Sequence, residues 1–266
     1  MIMKNESLRR SVELFFIAIM FIAPPLLAEV FFGGEVPAVL WYIRWIDIID
    51  ITIMTIVYFI LFIYLAKHSI DETKNILFAR IFTILLSLFI GGHFMHFATN
   101  AINTYAYEVR GYKVGQDIPN DIATVLYFLD EDLSHYIMFI SMFALLLVIF
   151  ISRFQILIKG ENFHERIKLN DILDTSTSII FGVAFAISAI EARKAYFVIL
   201  LEIIVLAIIM FYSYKFEKKS IKVINQDTIL RVIFMSFSLS LLTFLAYYLY
   251  FGGFIEPSEM FRRHTY

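Results

Sequence analysis

The chain has 266 residues, of which 60% are hydrophobic and 17% charged, with a net charge of −2 and a mean hydropathy of +0.78. Soluble domains average about 45–50% apolar and about 25% charged residues, so this composition points to a polytopic membrane protein. The absence of cysteine excludes disulfides, thiolate metal sites and cysteine nucleophiles, and without a basic cluster or zinc-finger spacing nothing indicates a nucleic-acid partner.

Lys4, Arg9 and Arg10 precede the first apolar run. A secretory signal has a short apolar core followed by a small-residue cleavage site. This run is longer, holds Pro24-Pro25 and continues past Glu29 into Phe31 and Phe32, so it is expected to be a retained first membrane helix. A spanning helix needs roughly 20 mainly apolar residues. Seven segments qualify, at about 11–33, 46–66, 76–103, 122–152, 173–192, 194–213 and 228–252. The fifth and sixth together are too long to cross once, so Glu191-Ala192-Arg193-Lys194 is expected to form a tight turn. Lys and Arg concentrate before the first segment and after the second, fourth and sixth. This predicts a cytoplasmic N-terminus and an outer C-terminus. The expected fold is therefore all-α: a single domain over 1–266, a seven-transmembrane-helix bundle, multi-pass in the cell membrane. A retinal protein of this inverted topology would need a lysine in the last helix, and RVIFMSFSLSLLTFLAYYLYFGGF has none.

Ionisable residues inside spanning segments usually face the bundle interior or a wet cavity, and they are functional candidates by default. The third segment carries GGHFMHFATN, in which His93, His96 and Asn100 share one helical face. Gly91 and Gly92 suit the close approach of a neighbouring helix. The fourth carries FLDEDLSHYIMF, where Glu131 and His135 are i, i+4 and Asp132 and His135 are i, i+3. At α-helical periodicity Asp130 falls on the opposite side from His135. Counting the rise of about 1.5 Å per residue from the outer ends puts both histidine stretches in the outer half of the bundle.

Three imidazoles and a carboxylate suit a divalent metal such as Zn or Fe, with His93, His96 and His135 as ligands. An open position would lower the pKa of a bound water. Glu131 or Asp132 then serves as general base, and Ser134 or Asn100 polarises a carbonyl. Glu29, Asp50 and Glu202 are further candidates for substrate contact or support. This set of ingredients in seven helices is similar to that of the ceramidase and adiponectin-receptor superfamily. The resemblance implies a metal-dependent hydrolase acting on a membrane lipid or lipid-like substrate. That family's His-x-x-x-His in the last helix has no counterpart here, since His264 lies beyond it, so no residue carries over. Haem b held by His93 or His96 with His135, a proton-coupled transporter, and a structural subunit of a membrane complex are the alternatives.

Overall fold

A computed structural model describes residues 6–32, 48–73, 75–158, 168–215 and 224–256. Among them the regular structure is helical, with one isolated bridge between Val114 and Ile118. We label the α-helices α1 (Glu6–Phe32), α2 (Thr55–Lys67), α3 (Ile70–Thr73), α4 (Ile76–Asn103), α5 (Asn120–Tyr127), α6 (His135–Ile158), α7 (Lys168–Glu191), α8 (Ala195–Lys215) and α9 (Thr228–Phe251). Three π-helical segments continue or precede them: Asp50–Met54 before α2, Thr104–Val109 after α4, and Phe128–Ser134 between α5 and α6.

Five helical stretches are long and apolar enough to cross a membrane: Ile76–Tyr107, Asn120–Leu157, Lys168–Glu191, Ala195–Tyr214 and Thr228–Phe251. The apolar helix Ile51–Lys67 is shorter, and α1 has 27 residues. Large apolar side chains such as Ile84, Leu88, Leu200, Ile203, Leu242 and Leu245 stand exposed along these stretches. A protein dissolved in water rarely shows apolar surface on that scale, whereas acyl chains would cover it.

The chain forms two compact units. The first comprises Met1–Ile19, Leu61–Thr83 and Phe143–Tyr266; the second comprises Met20–Ile60 and Ile84–Met142. In the first unit α7 and α9 pack closely. A Cβ on Gly182 would come within 2.6 Å of the Ser236 carbonyl oxygen and 3.1 Å of the Ser240 nitrogen, so only hydrogen fits there. Ser11 of α1, Asn170 of α7 and Thr228 of α9 are buried together. Asn170 Nδ2 donates to Ser7 and Ser11, and the Ser11 and Thr228 hydroxyls are 3.3 Å apart.

Local sequence explains where α7, α8 and α9 stop and start. The α7–α8 turn closes through Lys194 N–H to Ala189 O at 2.9 Å, with Arg193 at φ 55°. This is the tight turn expected from the polar break. Asp227 caps α9 by accepting from the Ile229 and Leu230 amides, each at 3.1 Å, and Gly252 ends it at φ 72°. Asp227 also holds Arg153 of α6 at 2.8 Å, with both side chains nearly buried.

In the second unit Gly92 of α4 meets Met138 Cγ at 3.0 Å and Ser134 O at 3.1 Å through its hypothetical Cβ. That is the close approach expected of small residues in a membrane bundle. Gly91 has nothing within 4 Å, so of the glycine pair it is Gly92 that sits at the helix contact.

Candidate functional site: a carboxylate among histidines

The centre of the polar cluster in the second unit is Asp130. Its side chain is 6% exposed. Three residues of α4, spaced along one face, converge on it. Thr99 Oγ1 lies 3.1 Å from Oδ1, Asn103 Nδ2 donates to Oδ2 at 3.1 Å, and His96 Nδ1 lies 2.8 Å from Oδ1. This contact is an ion pair only when the imidazole is protonated.

The π-helical segment Phe128–Ser134 sets this geometry. At about 100° per residue, five residues leave Asp130 and His135 about 140° apart on an α-helix. A π-helix bonds i to i+5, so residues five apart come nearly into line. Asp130 therefore turns toward α4 on the side of His135, instead of away from it as regular periodicity predicts. Single π turns inside α-helices occur frequently at functional sites.

His135 completes the cluster. Its Nδ1 is 2.8 Å from the Glu131 carbonyl oxygen. A carbonyl can only accept, so Nδ1 carries a hydrogen in this contact and Nε2 is the acceptor whenever the ring is neutral. The His96 and His135 rings lie 4.7 Å apart by centroid, tilted by 44°.

The other expected residues divide by location. His93 is buried, and its rings for company are Tyr58 at 5.9 Å and Phe89 at 6.4 Å. Glu131, Asp132 and Asn100 are half-buried. Ser134 is fully buried and its hydroxyl donates to the Asp130 carbonyl oxygen, inside its own helix. Glu202 belongs to the first unit. The side chains of Glu29 and Asp50 lie outside the described residues. Thr99 and Asn103 were not singled out from the sequence. Their signal was available, since Thr99 and Asn103 extend the face of His96 at i+3 and i+7.

Among the described residues, no group of three or more His, Asp or Glu side chains is placed to hold a metal ion. What the cluster can do is hold a proton in more than one position. Thr99 has one hydroxyl hydrogen but three oxygen acceptors within reach: Met95 O at 2.8 Å, His96 O at 3.0 Å and Asp130 Oδ1 at 3.1 Å. With Asp130 ionised, Thr99 donates to it. With Asp130 protonated, the carboxyl donates to Thr99, which turns its hydrogen to a backbone carbonyl. Both states fit the same heavy-atom positions. His96 is 24% exposed against 6% for Asp130, so the imidazole is the more accessible of the two.

No protein-family model matches the chain, and no curated protein or solved structure is significantly similar to it.

Proposed function

We propose that the chain is a seven-helix, multi-pass protein of the cell membrane, N-terminus cytoplasmic and C-terminus outside, that moves protons through the cluster of His96, Asp130 and His135. The observation that carries this reading is the 2.8 Å approach of His96 Nδ1 to the nearly buried Asp130 carboxylate. A charged carboxylate at membrane depth is costly unless it is paired, and such residues mark proton and ion pathways. Here its partner is itself titratable near neutrality. A proton taken up by His96 passes to Asp130 Oδ1, leaving the imidazole neutral and the carboxyl protonated. Thr99 and Asn103 hold the carboxyl in place in both states. The π-helical turn, which forgoes regular helical bonding, supports a site built for function.

The test is proton entry into proteoliposomes that carry a pH-sensitive dye and an imposed membrane potential. The wild-type protein should acidify the interior, and D130N should not.

A second reading keeps the metal. Histidines that ligate a metal usually engage their other ring nitrogen with a carboxylate or a backbone carbonyl. His96 and His135 do so, with Asp130 and with the Glu131 carbonyl respectively. A divalent Zn or Fe bound by their Nε2 atoms would support the hydrolase acting on a lipid-like substrate. It would still need further donors from outside the group formed by the described side chains. Stoichiometric metal in the purified protein, lost in a His96→Ala, His135→Ala variant, would favour this reading. Haem b draws no support from the pair, because imidazoles on opposite faces of one iron stand farther apart than 4.7 Å.

A further inference from the structure

The first unit contains a buried acid that the cluster around Asp130 does not use. Glu202 lies on α8, and its side chain is 0% exposed. Among the described residues, neither carboxyl oxygen makes a fully formed hydrogen bond. The Ser240 hydroxyl of α9 neighbours the carboxyl, short of full hydrogen-bond geometry. The Ser240 and Ser236 hydroxyls are likewise buried without a partner, and being four residues apart they stand one above the other on α9. Gly182 lets α7 pack against that same turn of α9, where a Cβ on it would come within 3.1 Å of the Ser240 nitrogen.

Among the described residues, no charged side chain of α7, α8 or α9 is placed to neutralise Glu202. On α7 the nearest ionisable residues to Gly182 are Asp174 and Glu191, eight and nine positions away, or about 12–14 Å at 1.5 Å per residue. On α9 Arg231 is nine positions from Ser240, and on the α8 side Lys194 is eight from Glu202. An ionised carboxylate sealed in an apolar interior without a counter-charge is so unfavourable that the group takes up a proton instead. A bare metal cation would need a cage of oxygens. The backbone carbonyls here are committed to their helices, which leaves one carboxyl and two hydroxyls. A proton needs only one oxygen.

We propose that Glu202 is a second proton-binding site, a carboxylic acid held neutral between α7, α8 and α9 that exchanges its proton through the hydroxyls of Ser240 and Ser236. In the resting state the carboxyl keeps its proton, with the Ser240 hydroxyl beside it. On release, the hydroxyls turn into line: the carboxyl proton passes to Ser240 Oγ, the Ser240 hydrogen to Ser236 Oγ and the Ser236 hydrogen to a water molecule that carries it away, which leaves both hydroxyls intact and the carboxyl anionic. This site stands independently of the Asp130 reading, because it uses none of the same residues.

Infrared difference spectroscopy of the whole protein in lipid tests it. The wild type should show the carbonyl stretch of a protonated carboxyl that shifts in deuterated water and fades as pH rises. E202Q, which replaces a neutral acid by a neutral amide of the same shape, should fold normally and lack that band. D130N should keep it. Dicyclohexylcarbodiimide, an apolar reagent for protonated carboxyls, should label the Glu202 peptide in the wild type. A wild-type spectrum without the band, a band that survives E202Q, or one that resists both deuteration and pH overturns the proposal.

Discussion

Asp130 and His135, five residues apart, face the same part of α4 because the helix between them is wound as a π-helix. His96 stands beside both, 2.8 Å from the Asp130 carboxylate and 4.7 Å, ring to ring, from His135. Asp130→Asn should therefore be informative. The amide preserves shape and leaves Thr99 and Asn103 with a partner. Since an interhelical hydrogen bond in a membrane bundle contributes on average about 0.6 kcal/mol, thermal stability should stay within about 1 kcal/mol of wild type. Proton transfer through the cluster should be lost. A thermal melt in detergent beside the flux assay separates the two effects.

The same relationship shows where the sequence was readable. The described parts of the expected apolar segments are helical, five of them in stretches long and apolar enough to cross a membrane, and the α7–α8 turn sits at its polar break, because length, apolarity and charge act locally. The shared depth of GGHFMHFATN and FLDEDLSHYIMF was legible for the same reason. The identity of the central acid was not. A change from 3.6-residue to π winding rotates every later side chain, and it arises from packing that no single stretch of sequence reveals. His93 shares the face of His96 by periodicity, and its ring lies beside those of Tyr58 and Phe89.

Arg153 and Asp227 form a nearly buried ion pair at 2.8 Å, and Arg153 also donates to the His68 carbonyl at 3.1 Å. Removing one partner of such a pair strands the other charge and typically costs about 3–5 kcal/mol. Arg153→Leu should lower stability by that order. Asp227→Asn should cost less, because Asn still caps α9. Chemical denaturation in mild detergent should rank the two variants in that order.

Gly182 and Gly91 should respond in opposite directions to the same change. Gly182→Ala puts a methyl 2.6 Å from the Ser236 carbonyl oxygen and forces α7 from α9, which should cost about 1–3 kcal/mol. Gly91→Ala meets nothing within 4 Å and gains up to about 1 kcal/mol of helix propensity. Melting temperatures of the two single variants check this.

His68, in the turn after α2, has its pKa lowered from 6.5, chiefly by burial and next by the positive charge of Arg10. The folded protein thus holds this ring neutral where the unfolded chain would protonate it. Between the lowered value and 6.5 the unfolded state binds more protons, so stability falls as pH drops through that window and is unaffected above it. His68→Gln should flatten the acid-side loss of stability, measured as the melting midpoint against pH.

The central claim is that the Asp130 cluster carries protons, and the most direct measurement is dye-reported proton entry into proteoliposomes under an imposed potential. The account predicts entry with the wild type, none with D130N, and slowed entry with His96→Ala. No entry with the correctly folded wild type, or equal entry with D130N, would contradict it.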